Sequence, residues 1–360
     1  MTMKALAIYL PAFHRIPEND EWWGDGFTEW DNVRSGVPYF PGHTQPVEPL
    51  DGWYYDLANK ADIERQIDLA NDYLISGFIF YHYWFATDRK IFERPAEILR
   101  DQIDKKTEYC FCWANESWIT TWHGRDPETL LEQTYGSRKE WVEHIEYLSA
   151  FFNDSRYIRI DGRPVLFIYK PSEIPRYEEM IDCWNNYLID KGDCPVYIVE
   201  YISSKNKALH STKSDAVTEF EPLYTCYFDL GKLDLLKRFI AKITHHIDYQ
   251  EYDVLWEKII SRKRTYGGKP IIRGCFVGWD NSPRKEKRSM IVRGSTADKF
   301  KQNLSRLINN GRADASSEYV VINAWNEWSE GAYLEPDSLN RYAFLEAVRD
   351  VMCEANGDGE

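Results

Sequence analysis

Residues Tyr319–Ala324, YVVINA, run directly into Trp325–Gly331, WNEWSEG. The first half is an uninterrupted apolar run, rich in β-branched Val and Ile and too short for an ordinary helix. It reads as a strand buried on both faces. The second half turns at once to Trp, Asn and Glu, closed by a glycine. A strand that is apolar to its end and then delivers polar and aromatic groups fits a parallel sheet whose carboxyl edge carries chemistry.

The same pattern recurs upstream at Ala5–Tyr9 (ALAIY), Gly77–Tyr81 (GFIFY), Tyr109–Trp113 (YCFCW), Pro164–Tyr169 (PVLFIY), Pro195–Glu200 (PVYIVE), Ala216–Glu219 (AVTE) and Ile271–Phe276 (IIRGCF). Between these strands lie stretches with helical spacing. Asp62–Ser76 puts Ile63, Ile67, Ala70 and Leu74 on one stripe, with Gly77 expected to stop the helix. Lys139–Phe152, Tyr177–Lys191, Asp253–Lys263 and Thr296–Asn310 behave alike. Strand–helix alternation repeated eight times predicts a (β/α)₈ barrel of the α/β class. A doubly wound open sheet is the alternative, but it would carry a Gly-rich phosphate turn after the first strand, where this chain has YLPAFH. No Pro/Gly/Ser linker parts the chain, so residues 1–360 read as one barrel domain. Two long excursions, 14–61 and 220–252, read as functional loops over the catalytic face.

The strand ends carry the candidate site. They supply Tyr9; His82, Tyr83 and Trp84; Trp113, Asn115 and Glu116; Tyr169; Glu200; Glu219; Trp279 and Asp280; and Trp325, Asn326, Glu327 and Glu330. On a barrel these side chains ring one mouth. Glu327 and Glu330 form the best acid/base pair, three residues apart and able to face one pocket if the segment turns helically. Glycoside cleavage needs one protonated and one ionised carboxyl group. Trp325 and Trp328 would lower the local dielectric and raise one of the two pKa values. The opposite reading makes the glutamates surface ion pairs or helix caps.

Other residues stay open to two readings. His82 is a hydroxyl ligand or a structural histidine, and Asp280 binds a sugar hydroxyl or pairs with Arg284. Glu29 and Trp30 reach over the mouth or pin the long loop. Lys170 is a Schiff-base former or a solvated lysine.

Composition narrows the ligand. The chain has 360 residues, net charge −14, and 14 Trp, 24 Tyr and 17 Phe, 15% aromatic in all. The acidic balance disfavours a nucleic-acid groove or an anionic membrane surface as the main partner, since both need a basic footprint, and no apolar run approaches the ~18 residues of a membrane-spanning helix. Trp and Tyr at strand ends suit sugar rings, whose C–H faces stack while their hydroxyls need hydrogen bonds. A phosphate ester would call for Arg clamps or a Gly-rich nest. With no HExxH, Walker loop, GxSxG elbow or dinucleotide fingerprint, no cofactor and no metal are expected. Seven scattered cysteines without a CxxC pair read as free thiols. The apolar run before Pro11, Ala5–Leu10, is only six residues long, too short for a signal-peptide core. Both point to a cytoplasmic location.

At WNEWSEGAYLEPD (325–337) the chain resembles the WbsX-like proteins, a polysaccharide-biosynthesis group labelled glycosyltransferases and related to glycoside hydrolase family 99. YLPAFH (9–14), GFTEWDNV (26–33), GHTQPVEP (42–49), GFIFYHYWF (77–85), WANESW (113–118), RYIRIDGRPVLFIYKP (156–171) and GWDNSPR (278–284) carry the resemblance in order along the chain. It implies a (β/α)₈ barrel and endo-acting, retaining cleavage of α-mannosidic linkages. The implied mechanism has no enzyme nucleophile: Glu327 deprotonates the substrate 2-hydroxyl, which attacks C1 to give a 1,2-anhydro sugar, and Glu330 protonates the leaving oxygen. The sequence departs from family 99 at Ser329, where that family has His, which bears on sugar specificity. The group's own label implies instead glycosyl transfer in O-antigen or capsular polysaccharide assembly. A third reading is a carbohydrate-binding barrel without catalysis.

Overall fold

A computed structural model describes residues 2–119, 128–204, 206–263, 265–313 and 317–357. Eight parallel strands form its centre: β1 (Lys4–Tyr9), β2 (Ile75–Ala86), β3 (Glu108–Trp113), β4 (Arg163–Ile168), β5 (Tyr197–Ile202), β6 (Ala216–Glu219), β7 (Ile271–Phe276) and β8 (Tyr319–Asn323). Each pairs with its sequence neighbours, and β1 bonds both β2 and β8. The sheet therefore closes, and no edge is left among these strands. At the closing seam Lys4, Ala5, Leu6 and Ala7 stand opposite Tyr319, Val320, Val321 and Ile322. The continuous apolar reading of the strands is met by their burial, complete in β5, β6 and β8. Helices cover the outside, among them Lys60–Asp72, Arg94–Gln102, Arg138–Phe152, Tyr177–Asp190, Tyr252–Ser261, Ala297–Ala313 and Ala343–Asn356. Among the described residues no helix is long and apolar enough to cross a membrane.

Three details differ from the sequence reading. The alternation breaks once: β5 and β6 are joined by 203–215, whose described residues form no helix. The first covering helix stops at Asp72, with Leu74 left-handed at φ 60°, before Gly77 is reached. Gly77 instead lies inside β2, where a Cβ would stand 2.3 Å from the Glu108 carbonyl oxygen. Its lack of a side chain lets β2 and β3 approach, which is a strand role and not a helix stop. The excursions also hold structure of their own: short helices Pro17–Trp23 and Glu29–Arg34 in the first, and Leu223–Phe228 and Lys232–Thr244 in the second.

Candidate active site

The carboxyl ends of the strands open into a cleft of about 620 Å³. Its floor is set by the segment after β8. The Trp325 N–H donates to the Ile8 carbonyl (2.7 Å), and the Asn326 side chain clamps the Leu10 backbone, accepting from its N–H (2.7 Å) and donating to its C=O (3.0 Å). Asn326–Glu327 then pairs antiparallel with Ala332–Tyr333 across a single 3-10 turn, Trp328–Glu330. Gly331 ends that turn at φ 60°, where a Cβ would lie 2.8 Å from the Asp280 nitrogen. Only glycine allows this approach, which brings the Asp280 N–H onto the Glu330 carbonyl (2.7 Å). The tight turn leaves Glu327 and Glu330 both lining the cleft.

Below the turn sits a third carboxyl group. Glu335 accepts from Trp328 Nε1, Tyr55 Oη and Gln66 Nε2, each at 2.7 Å. Burial pushes its pKa up to about 7 against the pull of those donors. Trp328 also stacks on Tyr333 with ring centroids 3.9 Å apart, so the turn is held from beneath by packing and hydrogen bonds together.

Arg284, from the short helix Ser282–Lys285, joins the carboxylates. Its Nη1 donates to Glu330 Oε1 (3.0 Å), its Nε and Nη2 donate to Glu29 Oε1 (2.9 and 2.6 Å), and Nη2 lies 3.8 Å from Glu327 Oε2. Burial works against the guanidinium charge, and Glu29, Glu330 and Glu327 outweigh it, so Arg284 stays cationic. Glu29 opens the helix Glu29–Arg34 and also accepts from Asn32 Nδ2 (3.1 Å) and from the Ser329 hydroxyl. Glu327 is treated differently. Its Oε2 is buried and accepts no hydrogen bond among the described residues. Burial first, and the Glu330 charge second, push its pKa up to about 8, with Arg284 pulling the other way. Glu327 thus keeps its proton through neutral pH, which places a protonated carboxyl group beside Glu330 in the cleft.

Of the sequence candidates, Glu327, Glu330, Tyr83, Glu116, Tyr169 and Trp279 line the cleft. Glu116 is ion-paired to Lys170, which also lies 3.7 Å from Glu173, so Lys170 is neither a solvated lysine nor an isolated amine.

The structure places the other candidates away from the cleft wall. Tyr9 is wholly buried and donates to Gln66 Oε1 (2.6 Å). His82 and Trp84 point outward to the covering helix: His82 Nε2 meets His144 Nε2 at 2.9 Å, and Trp84 stacks on His144 with centroids 4.5 Å apart. Burial lowers the His82 pKa to about 3, so it stays neutral. Trp113 and Trp325 pack in the core, the former donating to the Trp84 carbonyl (3.0 Å), the latter edge-on to Phe78. Asn115 clamps the Lys170 backbone as Asn326 clamps Leu10, with both bonds at 2.8 Å. Glu200 accepts from Ser214 Oγ (2.5 Å) and from the N–H groups of His210 and Ser211. Glu219 is tied to Arg262 and Tyr266. Asp280 does not pair with Arg284; it accepts from Gln45 (2.7 Å) and bonds His43 (2.7 Å), locking the long β1 loop to the β7 loop.

Residues outside the candidate list also line the cleft, including Glu29, Tyr81, Trp118, Lys170, Phe220 and Arg284. Tyr81 carried a signal, since it shares a strand face with Tyr83 at spacing two. Arg284 carried one too, as an arginine standing among carboxylate-bearing strand ends. Glu29 stood open to two readings, and what the sequence did not reveal was its partner Arg284, 255 positions away.

The chain is similar to two solved structures over nearly all its length. One is a GH99 endo-alpha-mannosidase from Bacteroides thetaiotaomicron, 13% identical, TM-score 0.54, with 98% of this chain and 97% of that chain covered. The other is a glycoside hydrolase-like protein, 14% identical, TM-score 0.60, covering 98% and 94%. At these identities the likeness is one of fold. Protein WxcX from two strains of Xanthomonas campestris pv. campestris is 32% identical over 354 residues, 97% of this chain. The chain spans about half the length of these relatives, 50%. The model of the family described as glycosyltransferase WbsX matches residues 5–348. A match of that extent means that the chain belongs to the family described as glycosyltransferase WbsX.

Proposed function

We propose that the chain breaks glycosidic linkages of an oligo- or polysaccharide with retention, within the chain of sugars, at a manno-configured residue. The observation that carries this reading is the Glu327–Arg284–Glu330 arrangement: two carboxyl groups in one cleft, one shared guanidinium, and one retained proton. In the form of the pair whose single proton has moved from Glu327 to Glu330, ionised Glu327 takes the proton of the substrate 2-hydroxyl. The oxygen attacks C1 from the face opposite the leaving group, the C1–O bond breaks, and the leaving oxygen takes the proton from Glu330. Water then opens the 1,2-anhydro sugar, giving its proton to Glu330 while Glu327 returns its own to O2. Two inversions at C1 leave the configuration retained. Glu327 Oε2, which accepts no hydrogen bond among the described residues, is the atom ready to take the hydroxyl proton.

The family description favours transfer as a second reading. The same intermediate serves it, with a sugar hydroxyl replacing water as the group that opens the anhydro ring. Turnover of manno-configured oligosaccharides beside their 2-deoxy counterparts tests the mechanism. The expected result is cleavage or transfer that needs the 2-hydroxyl and disappears in Glu327→Gln and Glu330→Gln while the glycan still binds. Equal turnover of the 2-deoxy substrate would sink the 2-hydroxyl route. Tight nucleotide-sugar binding in calorimetry would point to a nucleotide-sugar transferase, and glycan binding unchanged in both variants with no product would point to a binding barrel.

A further inference from the structure

The helix Lys232–Thr244 (KLDLLKRFIAKIT) presents its apolar side to solvent. At 100° per residue, Leu233, Leu235, Leu236, Phe239, Ile240 and Ile243 fall in one arc of about 160°. On a globular body such an arc faces the core. Here all six are exposed, Leu233 at 74%, Phe239 at 59% and Ile243 at 57%, and no residue of the helix is buried. The polar side turns inward instead: Arg238 lies 3.3 Å from Asp248 and over the Tyr227 ring, 4.9 Å from its centroid.

The charge pattern says what this face fits. Lys237 and Lys242 project at the two margins of the apolar arc and Lys232 stands at its amino end. Asp234 is the single acid in the helix, in a chain whose net charge is −14. We propose that this helix docks the chain on a membrane surface rich in anionic lipid. Its 13 residues span about 20 Å, short of the ~30 Å hydrocarbon layer, so it lies flat, apolar arc in the acyl boundary and lysines at the phosphates. A second copy of this chain fits less well, since it would set lysine rows against lysine rows. An anionic bilayer supplies both the apolar depth and the opposite charge. Tyr227, the ring beneath Arg238, also lines the catalytic cleft. Docking therefore sets the mouth of the barrel beside the lipid headgroups.

Co-sedimentation of the 360-residue chain with vesicles tests this. Vesicles of mixed phosphatidylglycerol and phosphatidylcholine should carry the protein down, vesicles of phosphatidylcholine alone should carry at least tenfold less, and added salt should weaken the binding. Phe239→Asp with Ile243→Asp should lower partitioning more than tenfold, and Lys237→Gln with Lys242→Gln by about fivefold per lysine. These side chains are exposed, so the thermal melts of both variants should match the parent. Failure to bind anionic vesicles, equal binding to neutral ones, or binding indifferent to both variants would overturn the proposal. So would a solution dimer that Phe239→Asp dissociates.

Discussion

Two arginines in this barrel each gather three carboxylates, and the two clusters end in opposite states. Arg262 sits at 2% exposure between Glu219 (2.6 Å), Glu221 (2.7 Å) and Asp229 (2.8 Å), with Thr225 Oγ1 on its remaining edge. Tyr266 donates to Glu219, and the Thr225 N–H donates to Glu221. Arg284, at 16%, holds Glu29 and Glu330 but leaves Glu327 at 3.8 Å, its Oε2 accepting no hydrogen bond among the described residues. The residue types are the same; what differs is completion. A sealed cluster whose hydrogen bonds close on themselves serves the fold, whereas a cluster that faces a cleft with one acceptor unfilled is poised to receive something.

The largest expected effect follows from that acceptor. Glu327→Gln and Glu330→Gln should each lower kcat by about 10³-fold on a proven glycan substrate. The sealed cluster should respond in stability instead. Arg262→Met strands buried carboxylates and should cost about 3–5 kcal/mol in urea unfolding. The folded fraction should keep its kcat. If Arg262→Met silenced a fully folded protein, the division between the clusters would fail.

Smaller effects sharpen the contrast through pH. The reaction needs one proton on the Glu327–Glu330 pair, so activity should fall as pH rises through about 8. Arg284→Met removes the charge that holds the Glu327 pKa down, so that falling limb should move upward by about one unit or more. The smallest effect is thermodynamic. A carboxyl group whose folded pKa is raised gives stability below its unfolded pKa, and that stability is lost as pH climbs towards 8. Glutamine does not titrate, so the melting advantage of Glu327→Gln over the parent should widen between pH 5 and pH 8.

The contrast also explains what the sequence can and cannot tell. All eight strands were legible, because parallel strands buried on both faces leave continuous apolar runs. Ala216–Glu219 and Ile271–Phe276 match to the residue. The turn bearing Glu327 and Glu330 was read only conditionally, as a helical turn that would face both into one pocket, and it is a single 3-10 turn. Facing was not legible. In YHYW the side chains alternate, so Tyr81 and Tyr83 line the cleft while His82 and Trp84 pack outward, and parity depends on a register that only closure of the sheet sets. Nor does a lone sequence tell a sealed glutamate from an open one: Glu219 and Glu327 both stand at strand ends. Their difference is made by Arg262 and Tyr266 on one side and by Arg284 and Glu29 on the other, residues distant along the chain from at least one of the partners they meet.

The seam between β1 and β8 has a consequence for synthesis. Trp325 and Asn326 bond to Ile8 and Leu10, and Glu29 reaches Arg284 from the opposite end of the sequence. A nascent chain thus carries Glu29 300 positions ahead of its partner Ser329 in the proposed centre, which arrives only when the eighth strand has emerged. The growing polypeptide holds no assembled centre until the sheet has closed around it.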